Sequence, residues 1–291
     1  MSASNLKTQI TQPVKNSLVF MIKVLSKMKN KFFGGDAKNL NWQLYYDAWS
    51  ISKAELERIE EDLHRYSKER EYPPEYEAEF VAQRFRVHLS LKWIEQAMAE
   101  RLVNKAPSSL QGLEMGGVTV VTDLLMSTFP QFNWQNTEGD IRYKWQNPDE
   151  SADLIVSMEV LEHLSDIPDG INNGFYATGV KASLLESYRV LKPGGILFIT
   201  TPNAASSLNL MKALAGFPTY FYQPHVREFT LSELKSFLQE TGFTILRAQA
   251  VQCLTVDYKI DYTSLFQTLL DSLVDANLKD RGDDLFIVAV K

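Results

Sequence analysis

Residues 157–166 read SMEVLEHLSD and place Glu159, Glu162 and His163 at spacings i, i+3 and i+4. One helical turn would make these three neighbours. Two carboxylates and an imidazole offer the oxygen and nitrogen donors that a hard or borderline divalent cation accepts. An imidazole also accepts a proton near neutral pH without any ion. Of the other histidines, His64 and His88 lie in helical stretches with no second ligand type at metal spacing, and they read as solvated or core residues. The lone cysteine, Cys253, excludes an internal disulfide and a cysteine-clustered zinc site, and it reads as a small buried hydrophobe in a reducing, cytoplasmic setting.

Chemistry at 159–163 requires an element to carry it. The apolar run ADLIV at 152–156 precedes the triplet directly and reads as a buried strand. Around it, LQGLEM, FNWQNTE, GILFITTP, FTILRAQAVQ and LFIVAVK are further strand candidates, and LLMSTF, KASLLESYRVL and TLSELKSFLQET are helical. This alternation predicts an α/β fold with a mostly parallel open sheet covered by helices on both faces. Ligands in such sheets bind beyond the carboxyl ends of the strands, where Glu114, Asp140, Glu159 and Asn203 are expected. Upstream, SKAELERIEEDLHRYSKERE at 52–71 and AEFVAQRFRVHLSLKWIEQAMAERL at 78–102 each predict one helix. The expected organisation is a helical lid or cap region over 1–105 and an α/β domain over 106–291.

The 291 residues carry a net charge of −6, which argues against DNA as a partner. Residues 1–35 nevertheless hold six lysines and no acidic residue, and SLVFMIKVLSKMKNKFF is interrupted by four of them, too polar for a membrane span. Two readings stand: a helix packing Leu18, Ile22 and Leu25 on the domain or a partner, or a basic amphipathic helix peripheral to an anionic membrane.

In order, GLEMGG, EGD, ADLIVSMEVLEHL, ESYRVLKPGGILFITTPN and HVREFTLSELKSFLQETGF resemble the class I S-adenosylmethionine-dependent methyltransferases, over roughly residues 105–252. The resemblance implies a Rossmann-like sheet with an antiparallel last strand at DDLFIVAVK, and S-adenosylmethionine as cofactor. It implies cofactor binding by Glu114, Gly116 and Gly117 after the first strand, by Asp140 (or Glu138) near the ribose, and by Ser157 and Met158. Two departures are visible. LEMGGVTVV has Val118 and Val120 where the family has glycines, so the loop follows a wider path or the pocket is degenerate. Only 12 residues separate Asp140 from Asp153, so the sheet should be trimmed between its second and fourth strands, with room for a short edge strand at RYKW.

In plant small-RNA 2′-O-methyltransferases and ubiquinone-pathway O-methyltransferases, the Glu-x-x-Glu-His element joins a later histidine around a divalent metal such as Mg or Mn. Glu159, Glu162, His163 and His225 match that set. In the metal-free reading His163 or His225 is the base, while Glu162 supports the fold by hydrogen bonding, with Arg189 as an expected partner. The resemblance implies O-methylation of a small molecule, such as a sugar, lipid-linked precursor or secondary metabolite. A non-methylating descendant and a metal-dependent RNA-end 2′-O-methyltransferase are the alternatives. Tyr220, Phe221 and Tyr222 are candidates to wall the acceptor or to pack the core.

Overall fold

The computed structural model describes residues 52–102, 110–167, 177–214, 218–221, 224–253 and 280–291. The basic segment 1–35 and Tyr222 lie outside them. Three helices come first: α1 (Lys53–Glu69), α2 (Pro74–Ala82) and α3 (Arg84–Arg101). Ser52 and Glu55 form a reciprocal capping box that starts α1, and Leu56, Ile59 and Leu63 bury its apolar stripe. The single helix expected over 78–102 is two, because at Gln83 the backbone N–H turns back to the Phe80 carbonyl and breaks the α-helical ladder.

Then follow β1 (Leu110–Glu114), α4 (Val120–Thr128), β2 (Phe132–Asn136), β3 (Ala152–Met158), a 3₁₀ turn (Leu161–His163), α5 (Thr178–Val190), β4 (Leu191–Pro202), α6 (Ser207–Leu214), α7 (Leu231–Glu240), β5 (Thr244–Val251) and β6 (Asp284–Val290). The strands form one sheet in the order β2-β1-β3-β4-β6-β5. The first four are parallel, and β6 runs antiparallel between β4 and β5. This is the expected Rossmann-like α/β architecture, trimmed between its second strand and the strand that carries the EVLEHL segment.

Every residue of β3 and β6 is buried, as strands covered on both faces must be. On one face Leu197, Ile199, Leu285 and Ile287 pack with Leu184 of α5 and Leu234 and Phe237 of α7. On the other, Trp93 of α3 meets Phe286 at 5.4 Å. Helix α3 therefore covers the sheet directly, within the same compact unit, Trp49–Lys291.

The edge strand expected at RYKW does not form. Trp145 is buried, its indole N–H donates to the Ile141 carbonyl, and its backbone N–H and C=O are taken by Glu186 and Arg189 of α5. Those side chains satisfy the backbone groups a sheet ladder would have used.

Candidate functional site

The β1–α4 turn is built around one left-handed residue, Gly116, at φ +99°. A side chain at Gly117 would meet nothing within 4 Å, so this turn presents open backbone. Val118 and Val120 both keep negative φ: Val118 projects half-exposed, and Val120 is the buried first residue of α4, capped by Thr119 and Thr122. The loop thus needs no glycine at either position.

Glu114 is buried beneath the turn, where its Oε2 accepts from Thr122 Oγ1 and, at 3.0 Å, from Asn136 Nδ2. Burial raises its pKa to about 7 against the pull of those two donors. Thr137 closes the same corner: its N–H donates to the Glu114 carbonyl, and its hydroxyl accepts from Gly116 N–H.

Asp140 lies four residues beyond β2, exposed, with both oxygens bonded by Arg142, whose hydrogen bonds hold its pKa below the usual range. Arg142 also donates to Ser165 Oγ, strapping the loop after β2 to the loop after the 3₁₀ turn. Glu138 is exposed nearby. Ser157 at the end of β3 is buried, and its hydroxyl meets no hydrogen-bond partner among the described residues; Met158 beside it is nearly buried. Asn203 ties its own loop together, its amide donating to the Asp280 and Gly282 carbonyls.

Helical spacing predicted one face for the EVLEH segment, but the backbone does otherwise. Glu159 is left-handed at φ +55°, and the turn that follows is 3₁₀. Glu159 consequently points to the α3 side of the sheet, where its Oε1 accepts from Thr200 Oγ1 at 2.9 Å and lies 3.6 Å from Arg86 Nη1. Arg86 is buried and was not singled out from the sequence; only its helical spacing with other buried α3 residues marked it. Burial disfavours its charge, but Glu159 and Asp284 outweigh that and raise its pKa.

Glu162 is buried on the opposite side, with Oε2 accepting from Thr201 Oγ1 at 2.7 Å and Oε1 without a hydrogen-bond partner among the described residues. Its backbone carbonyl accepts from the N–H groups of Val226 and Arg227, which brings His225 to the turn. The expected Glu162–Arg189 bond is absent; Arg189 instead pairs with Glu186 and Asp149.

Donor atoms of Glu162, His163 and His225 all lie within 4.8 Å of one another. The two rings meet edge to face at 4.9 Å, and His225 Nδ1 is 2.8 Å from Glu228 Oε1. Burial, then the charge of Glu159, pushes the Glu162 carboxyl well up; burial, then His225, lowers His163. Three of the four expected metal ligands therefore converge, and Glu159 does not join them. Of the aromatic candidates, Tyr220 is exposed and Phe221 half-buried, its N–H donating to Glu228.

Comparison with known proteins matches residues 90–248 to the family described as "Methyltransferase domain". A Mycolicibacterium smegmatis protein named "Probable S-adenosylmethionine-dependent methyltransferase" is 31% identical over 98 residues, covering 34% of this chain and 31% of that one. The chain thus aligns with about a third of the length of that curated relative. Among solved structures, an Archaeoglobus fulgidus SAM dependent methyltransferase is 16% identical at a TM-score of 0.42, covering 69% of this chain and 94% of that one. Haemonchus contortus phosphoethanolamine N-methyltransferase 2, solved with S-adenosyl-L-methionine, is 14% identical at a TM-score of 0.41, covering 68% of this chain and 52% of that one.

Proposed function

The chain belongs to the methyltransferase-domain family, and on that premise we propose that it transfers the methyl group of S-adenosylmethionine to a hydroxyl oxygen of a small molecule, with His163 as the general base. The observation that carries this reading is the convergence of Glu162, His163 and His225 just beyond the carboxyl end of β3.

The residues present fit the cofactor. Gly116 and Gly117 leave backbone open for close approach at the first turn, and Val118 and Val120 cost no strain there, which removes the motive for a degenerate pocket. The buried Ser157 hydroxyl is a further hydrogen-bonding group at the strand end. Glu114 acts from below, through Thr122 and Asn136, by holding the turn's shape. When bound, S-adenosylmethionine supplies a methyl carbon on a positively charged sulfur, open to in-line displacement by the acceptor oxygen.

The chain's own task is then to take the hydroxyl proton. His163, half-exposed and with its pKa lowered, is neutral at physiological pH and accepts a proton at Nε2, 3.8 Å from Glu162 Oε1. The charge of Glu159 favours the imidazolium that results, and the His225 ring, held by Glu228 and nearly perpendicular to the His163 ring, keeps His163 in place.

One observation favours a second reading. Glu162 Oε1 is a buried acceptor without a hydrogen-bond partner among the described residues, and with two imidazoles it makes a three-donor set. Glu162, His163 and His225 would hold a divalent ion able to polarise the acceptor hydroxyl, and two nitrogens with one oxygen suit manganese better than magnesium.

Released S-adenosylhomocysteine, measured over a panel of sugars, phenols and hydroxylated lipids, tests the proposal. His163→Asn should cut turnover by about 10²–10⁴-fold with cofactor affinity unchanged. Unaltered turnover in that variant would remove His163 as base. Activity that disappears with chelator and returns with manganese would select the metal reading.

A further inference from the structure

Glu159 is the expected ligand that the Glu162–His163–His225 cluster leaves out, and its backbone is the costly one. A glutamate at φ +55° is strained, and it persists only where its surroundings fix it. Three contacts do so. Its N–H donates to the Thr200 carbonyl at 3.0 Å, its Oε1 accepts from Thr200 Oγ1 at 2.9 Å, and Arg86 Nη1 stands 3.6 Å from that same oxygen. All three hold the backbone or Oε1. Oε2 receives no hydrogen bond among the described residues, yet it is not sealed off as Glu162 Oε1 is, and 19% of the side chain is exposed. One oxygen is clamped, and the other is left within reach of a ligand.

The cofactor turn lies beside it. Strands β1 and β3 pair with Glu114 opposite Val156, so the β1–α4 turn and the segment after β3 leave the sheet side by side. A Cβ built on Gly116 would lie 3.6 Å from Val160, the residue after Glu159. Helix α3, which carries Arg86, also touches α4, the helix that begins at this turn. Glu159 therefore stands next to the open backbone of Gly116 and Gly117.

The other carboxylates at this end of the sheet are committed elsewhere. Glu114 is buried with Thr122 and Asn136, Glu162 is buried against Thr201, and Asp140 gives both oxygens to Arg142. Glu138 follows β2, which β1 separates from β3. S-adenosylmethionine brings two positive groups, its sulfonium and the α-ammonium of its methionine end. The ammonium alone has N–H groups to donate, and a carboxylate oxygen accepts such a bond with the added strength of opposite charge.

We infer, on the premise that the chain binds S-adenosylmethionine, that Glu159 is a cofactor-binding residue whose Oε2 takes the α-ammonium of the methionine moiety. Thr200 and Arg86 are its positioning residues, holding Oε1 so that Oε2 is presented.

Isothermal titration of the full chain with S-adenosylmethionine, S-adenosylhomocysteine and the deamino analogue of S-adenosylhomocysteine tests this. The second keeps the ammonium without the sulfonium, and the third lacks both. Glu159→Gln should weaken the first two by about tenfold or more and leave the third unchanged, since a charge-assisted bond is lost only where an ammonium is present. Unchanged binding of the analogue also shows that the variant is folded. Thr200→Val keeps the side chain's size and releases Oε1, so it should weaken S-adenosylhomocysteine more than the analogue, and this comparison decides if Glu159→Gln does not fold. A loss confined to S-adenosylmethionine would turn Oε2 toward the sulfonium, and an equal loss on all three would reduce Glu159 to shaping the turn. Either result overturns the assignment, as does Glu159→Gln binding like the wild type. Wild type that binds none of the three removes the cofactor reading itself, and the assignment with it.

Discussion

Glu114 shows how a single side chain can set a pH dependence without touching a substrate. Its carboxyl is buried with one oxygen bonded by Thr122 and Asn136, and its folded pKa of about 7 stands above the ordinary 4.5. The folded protein therefore holds this proton more tightly than the unfolded chain. Stability linked to this group is complete below about pH 4.5, falls as pH rises toward 7, and levels off above it, by about 3 kcal/mol in total. Glu114→Gln keeps an oxygen for both donors and removes the ionisation. Urea unfolding should show the variant gaining on the wild type by about that amount between pH 4.5 and 8; parallel stability curves would refute the assignment. His163 carries the companion prediction for activity. Because burial lowers its pKa, the rate should rise with pH through a midpoint below the ordinary histidine value of 6.5 and stay level above it. A midpoint above that value would point to another base.

The elements were largely written in local pattern. ADLIV and LFIVAVK are continuous apolar runs because β3 and β6 are buried on both faces, and Thr230 with Glu233 announces α7 by its capping box. What pattern could not reveal depends on contacts between distant residues. The turn at Trp145 replaces an expected strand because α5 supplies Glu186 and Arg189 to its backbone. Spacing set Glu162 beside His163 and the resemblance added His225, three residues that the fold does gather, yet neither could foresee a left-handed Glu159 captured by Arg86, 73 residues earlier in sequence. Arg86 is that capture, and it makes α3 part of the site's wall. Arg86→Met keeps the length of the side chain but leaves the carboxylates of Glu159 and Asp284 without their buried cation. Breaking such a pair costs about 3–5 kcal/mol, and combining it with Glu159→Gln should recover part of the loss, because the two act as one unit. Strict additivity in chemical unfolding would show that Arg86 and Glu159 are not coupled.

At the scale of the whole molecule the charge is divided by segment. Residues 1–35 contain six lysines and no acid, so the remaining residues carry 24 basic groups against all 36 acidic ones. Among the described residues no helix is long and apolar enough to cross a membrane. Contact with an anionic surface would therefore fall to the lysine-rich segment, each lysine near the lipid contributing about 1 kcal/mol at low salt, while the acidic remainder is repelled. Trp49–Lys291 forms a compact unit of its own, with the sheet, α3 and both packed faces inside it. Removing residues 1–48 should leave that unit folded and its S-adenosylhomocysteine affinity unchanged. Sedimentation with vesicles containing phosphatidylserine then separates the two roles of the segment. Full-length protein should bind at low ionic strength and release as salt shortens the screening length to about 3 Å near 1 M, and the truncated chain should stay in the supernatant throughout. If the full-length chain ignores the vesicles, the membrane role is gone. If truncation instead lowers the melting temperature by many degrees, Leu18, Ile22 and Leu25 belong to the packing of the folded unit, and the lysines are simply its solvated face.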